Sequence, residues 1–195
     1  MITASACGRS SKPKRSIRLT NQPDRCSSST SVRSLSPPGR AETAAIVASG
    51  VEAQALPGLI EIDYGGWEGL SPAQAGQMDP ARYTAWVADP TTTSPPGGET
   101  AAQVAARALA ALEEIRRRHE GSDLPVLAVS HKATLRILGA ALTGAPIAMY
   151  RSRWPQDECA LNLVELRAGK EPFLRLWNDT FQLGPDPGAV TRSGK

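Results

Sequence analysis

His131 stands where the sequence changes period. Val126, Leu127, Ala128 and Val129 form a short continuous apolar run, the pattern of a strand buried on both faces. Beyond Ser130 and His131, the residues Leu135, Leu138, Ala141 and Leu142 recur at helical spacing. In an open α/β sheet, ligands bind beyond the carboxyl ends of the strands. A helix that begins there presents unpaired N–H groups and a partial positive charge, which suit an anion, phosphate above all. An imidazole at that turn can donate to a phosphoryl oxygen or, in other chemistries, accept a phosphoryl group. Histidines that merely cap a helix occupy the same kind of position, and the strand-turn-helix pattern alone leaves both roles open.

A second stretch with chemical potential runs from Leu56 to Gln74. Its acids (Glu61, Asp63, Glu68), aromatics (Tyr64, Trp67) and glycines (Gly65, Gly66, Gly69) fit neither a regular helix nor a strand. It reads as a loop whose backbone approaches a neighbour closely. His119, in the charged last turn of the longest predicted helix, reads as a solvated surface residue.

The elements that must position these residues follow from periodicity. A helix is expected over Ser36–Ser49, with Arg40 in its first turns, and a short amphipathic one over 79–89 with Tyr83, Trp86 and Val87 inward. Thr91 to Gly98 is Thr/Pro/Gly-rich loop. Glu99 and Thr100 open the longest helix, with Val104, Ala108, Leu112 and Ile115 as its buried stripe and Arg116, Arg117 and Arg118 at its C-terminal dipole. Two further strands, Ala160–Leu166 and Pro172–Trp177, flank a turn at Gly169, so antiparallel pairing is natural. Strands mixed with three or four helices indicate an α/β sandwich of three layers, a mostly parallel sheet flanked by helices.

At 195 residues the chain suffices for one full core. Residues 1–35 carry seven bases and one acid, a charge of +6, while the remainder holds 15 bases and 18 acids, a charge of −3. The basicity therefore belongs to the leading segment, and the body has no charge suited to specific nucleic-acid binding. Residues 1–35 read as a disordered basic tail without a strand, 36–183 as the folded domain, and 184–195 as a disordered C-terminal tail. Cys7, Cys26 and Cys159 are too scattered for a zinc site or a disulfide framework. No apolar run approaches the roughly 18 residues of a membrane span. A cytoplasmic protein without a membrane anchor is expected.

Three blocks, with a fourth that also fits, resemble the histidine phosphatase superfamily, the phosphoglycerate-mutase-like proteins. They are SPPGRAETAAIVA at 36–48, LIEIDYGGWEGL at 59–70 and VSHKATLRIL at 129–138, with PPGGET at 95–100. The resemblance runs from about Ser36 to Leu183. It implies phosphomonoester hydrolysis through a phosphohistidine, no cofactor, and a small-molecule phosphate ester as partner; a homodimer is a separate expectation, as one way to stabilise a sheet short of a central strand. Residue by residue, it makes His131 the second, phosphate-binding histidine, Glu61 the general acid/base and Arg40 a phosphate ligand. Two departures stand out. SPPGRAETA is one residue short between the arginine and the threonine, and a one-residue slip turns a helical side chain by about 100°. The family's Arg-His-Gly nucleophile motif does not occur before Ser36, and the chain has two histidines, His119 and His131. The family's first strand is thus expected to be missing or degenerate. A phosphatase inactive or impaired by that loss, a non-catalytic phosphate-binding remnant, and an interaction protein working through the basic tail remain the three readings.

Overall fold

The computed structural model describes residues 2–6, 32–34, 54–122, 124–167 and 169–184. Within these residues ten α-helices and strands follow in chain order. They are β1 (Ile2–Ala6), β2 (Val32–Ser34), α1 (Pro72–Met78), α2 (Pro80–Ala88), α3 (Ala101–Arg118), β3 (Pro125–Val129), α4 (Lys132–Leu142), α5 (Tyr150–Arg153), β4 (Leu161–Leu166) and β5 (Phe173–Asp179). The helix expected over Ser36–Ser49, and Arg40 with it, lies outside the described residues, as does nearly all of the C-terminal tail.

Three of the helices, α1, α2 and α3, start on a side chain that caps them. Ser71 and Thr100 form reciprocal capping boxes with Gln74 and Gln103. Asp79 caps α2 through the Arg82 N–H, and Pro80 follows at the first helical position, where its missing N–H costs nothing. On α3 the expected stripe is buried: Val104, Ala108, Leu112 and Ile115 are all in the core. It meets Leu56 and Leu59 of the loop, Val126 and Ala128 of β3, Leu135 and Leu138 of α4, and Val164 and Leu166 of β4. At Gly139 of α4 an added Cβ would come within 2.5 Å of the Trp177 ring, so only glycine lets the helix approach the Trp154–Trp177 pair.

The sheet runs in the order β2-β3-β1-β4-β5. Strand β2 is parallel to β3 and β1 to β4, whereas β1 runs antiparallel to β3 and β5 antiparallel to β4. The mostly parallel sheet expected from the sequence is therefore corrected to a mixed one. The expectation of no strand in residues 1–35 is corrected too, because both β1 and β2 belong to the sheet. Strand β1 fills the slot between β3 and β4, so both of those strands are paired along both edges. Ile-Thr-Ala-Ser-Ala has little intrinsic signal, and its pairing follows from open backbone groups on two neighbours, a tertiary effect that outweighs local propensity.

Candidate active site

The loop from Leu56 to Leu70 is pinned from beneath by one arginine. Arg107 on α3 donates to the carbonyls of Gly58 (3.0 Å), Ile60 (2.9 Å) and Glu61 (3.0 Å), and through Nε and Nη2 to the two carboxylate oxygens of Glu99 (2.7 and 2.8 Å). Glu99 in turn accepts from the Asp63 N–H at 3.0 Å, and its own N–H donates to the Asp63 carbonyl. Burial works against the charge on Glu99, but the hydrogen bonds from Arg107 and Asp63 and the Arg107 charge outweigh it and hold its carboxyl below the ordinary range. Further along, Gly65 adopts φ +49°, and a Cβ there would meet the Pro96 carbonyl at 2.3 Å. The paired glycines of this loop and of the Pro95–Gly98 segment thus permit two backbones to touch.

Held in this way, the loop delivers Glu61 to the first turn of α4. The Glu61 carboxylate accepts from the backbone N–H groups of Thr134 (3.0 Å) and Ala133 (3.3 Å) and from its neighbour Ile62 (3.1 Å). The Thr134 hydroxyl lies 2.6 Å from the Ile60 carbonyl and 3.1 Å from Glu61 Oε1; its single proton belongs to the shorter contact. Ser130 closes the seam by donating to the Leu59 carbonyl at 2.7 Å. The residue between Ser130 and the helix, His131, is its N-cap and is buried. An α-helix leaves its leading N–H groups without intrahelical partners. Leu135 bonds back to the His131 carbonyl, and Glu61 takes those of Ala133 and Thr134. The Lys132 N–H, next to His131, has no partner among the described residues.

His131 and Glu61, seventy residues apart in sequence, are therefore brought to one helix terminus. Arg40 lies outside the described residues. His119 is the C-cap of α3, about 18 Å of helix beyond Arg107, and takes no part. The sequence reading missed Arg107 and Thr134. The signal for Arg107 was its place two turns into α3, within reach of Glu99 just before the N-cap Thr100. Among the described residues no group of three or more His, Cys, Asp or Glu is placed to hold a metal ion.

An aromatic cap adjoins this terminus. Tyr64, Trp67, Tyr83 and Trp86 pack edge to face or tilted, with ring centroids 5.4–6.2 Å apart. Tyr64 and Tyr150 are both raised above the ordinary phenol range, chiefly by burial, with the Glu61 charge adding to the rise and Arg151 opposing it. Glu61, the two phenols and Arg151 thus share one environment.

Comparison with known proteins agrees with the sequence motifs. The profile of the histidine phosphatase superfamily (branch 1) matches residues 23–180. A bifunctional protein of Mycobacterium tuberculosis is 35% identical over 126 residues, covering 64% of this chain and 33% of that protein. Phosphoserine phosphatase 1 of Hydrogenobacter thermophilus is 31% identical over 126 residues, covering 65% of this chain and 58% of that enzyme. The chain thus spans between a third and somewhat over half of these relatives. Among solved structures, Bacillus stearothermophilus YhfR superposes with a TM-score of 0.67 at 28% identity, covering 77% of this chain and 74% of YhfR. The α/β fold is that of these proteins.

Proposed function

We propose that this chain, which belongs to the histidine phosphatase superfamily, binds a small phosphate ester at the start of α4, between His131 and Glu61, and in its present sequence hydrolyses it only weakly. One observation carries the reading: the Glu61 carboxylate sits on the first turn of the helix that the buried His131 caps. A phosphoryl group placed there meets the Lys132 N–H, the positive end of the helix and the imidazole, which together compensate charge on its oxygens. Arg40 is the further cation that the family resemblance assigns to this group. Glu61, the carboxylic acid nearest that point, is the residue to hand a proton to the departing alcohol oxygen.

The weak turnover follows from the histidine count. A covalent route needs a nucleophile in line with the leaving oxygen, in addition to the phosphate-side imidazole. The sequence holds two histidines, one of them committed to the helix terminus and the other to the far end of α3. Binding, charge compensation and proton donation survive that loss, whereas formation of a phosphohistidine does not. The chemistry calls for no cofactor.

The reading is tested by measuring calorimetric binding of inorganic phosphate and turnover of p-nitrophenyl phosphate on the same preparation. Saturable phosphate binding that is lost in His131→Ala, with turnover far below the ~10 s⁻¹ typical of enzymes, is the expected pair of results. Robust turnover abolished by His131→Ala would leave the site standing and refute the impairment. Binding indifferent to His131→Ala would refute the site itself.

A further inference from the structure

Strand β1 occupies the middle of the sheet, yet little besides its neighbours' backbones holds it there. Its partners are β3 on one side and β4 on the other, and among the described elements no helix packs on it to a comparable extent. Its two alanines are poor strand formers and bring little apolar surface. The slot around it is better defined. Val126 and Ala128 of β3 and Val164 and Leu166 of β4 are buried in the core shared with α3 and α4. The register sets Ala4 level with Val126 and Val164, and Ala6 level with Leu166. Residues level with one another across a ladder share a face, so Ala4 and Ala6 belong to the face that meets the helices.

Emptied of β1, the slot would present unpaired N–H and C=O groups on two facing strands with apolar side chains between them, which is a binding site for an extended chain. Because β3 and β4 run antiparallel to each other, a strand entering in either direction is parallel to one and antiparallel to the other. The ladders therefore impose no direction. The resident strand is joined to β2 through residues 7–31, far beyond the roughly 2–6 residues of an ordinary connection. A tether of that length holds its strand at an effective concentration of only about millimolar order. A second copy of this chain brings the same five residues without the tether and has no advantage over the resident strand. A segment with β-branched residues at the alternate, core-facing positions does, since it makes the same main-chain bonds and buries more apolar surface.

We infer that the slot between β3 and β4 is an acceptor for an extended strand of another polypeptide, one with β-branched aliphatic residues at alternate positions, which displaces β1. Main-chain ladders on both sides give the affinity, and the core-facing positions beside Val126, Val164 and Leu166 give the selectivity. Proline within the segment is excluded, because a central strand must donate its N–H groups to the ladders on its two sides. The inference is independent of the phosphate-ester reading.

Fluorescence anisotropy of labelled peptides on the full chain tests this. The probe is Ile-Thr-Val-Ser-Val, flanked by lysines for solubility, which is β1 with valine at both alanine positions; the control has proline for its threonine. The wild-type chain should bind the valine peptide saturably and the proline control at least about tenfold more weakly. Thr3→Pro, which weakens the resident strand, should bind the valine peptide at least about tenfold more tightly than wild type does. Ala4→Val/Ala6→Val, which strengthens that strand, should bind it about tenfold more weakly. If Thr3→Pro is unfolded alone, the valine peptide should restore a cooperative thermal transition. In a Cys7→Ser/Cys26→Ser/Cys159→Ser chain, a peptide with cysteine for its threonine or its serine should form a disulfide with Leu127→Cys, a position level with Thr3, and not with Ala110→Cys on the exposed side of α3. Which of the two peptides reacts gives the direction of entry. Binding that ignores the proline, absence of both binding and rescue in Thr3→Pro, or a disulfide that forms as readily at Ala110→Cys would overturn the acceptor site. So would mixed Thr3→Cys and Leu127→Cys chains joining in a disulfide-linked dimer, since the occupant would then be a second copy.

Discussion

Replacing Arg107 by methionine removes five hydrogen bonds at once while keeping most of the aliphatic stem. Counted singly, at about 1.5–3 kcal/mol for each bond to a charged group, the loss would exceed the ~5–15 kcal/mol that holds a whole domain together. The five act as one unit, so a sum is the wrong measure. The apt comparison is a buried ion pair stripped of one partner, at about 3–5 kcal/mol. The side chains of Arg107 and Glu99 are 19% and 25% exposed, so water recovers part of that cost. An expected destabilisation of about 3 kcal/mol follows. For a chain of this size it lowers the melting temperature by about 6–12 °C. Urea denaturation at pH 7 measures it directly. Because Arg107 holds the carbonyls of Gly58, Ile60 and Glu61, phosphate affinity should fall in the same variant by about tenfold or more even after correction for unfolded protein. A cost below about 1 kcal/mol, or unchanged phosphate affinity in the folded variant, would refute the claim that this arginine sets the position of Glu61.

Three further outcomes follow from the same geometry. The Glu99 carboxyl is lowered from its ordinary value of 4.5 in the folded chain. Its contribution is therefore present above that value and drains away as pH falls through the folded one, and a Glu99→Gln variant should lose this part of the acid dependence of stability measured between pH 7 and pH 3. Gly139→Ala should destabilise by about 1–3 kcal/mol, because the new methyl meets the rigid rings of Trp177 and Trp154; a neutral or stabilising melt would show that the helix can shift to make room. Thr134→Val should cost about 1 kcal/mol, since the Ile60 carbonyl keeps its bond from Arg107, and a cost above about 3 kcal/mol would indicate that the hydroxyl serves Glu61 instead.

Much of the fold was legible because local signals and tertiary packing agree. The run from Val126 to Val129 followed by Leu135 and Leu138 became β3 and α4, with His131 at the junction. The stripe on α3 is the core stripe, and the strands around Gly169 pair antiparallel as the turn suggests. Strand β1 was not legible, since its five residues are strand only by virtue of two flanking backbones. The same reason hid the mixed character of the sheet, because strand direction is a long-range property. In the site, Glu61 could be found from its loop, whereas the donors that seat it could not. Ala133 and Thr134 act through main-chain N–H groups, which leave no trace in residue type. No described helix is long and apolar enough to cross a membrane.

With only two histidines in the chain, the imidazole resonances offer the most direct measurement. In a ¹H–¹³C correlation spectrum recorded during titration with inorganic phosphate at constant ionic strength, one of the two ring signals should move and saturate, and His131→Ala should abolish that signal. Movement of the His119 signal alone, or of neither, would contradict a phosphate site at the start of α4.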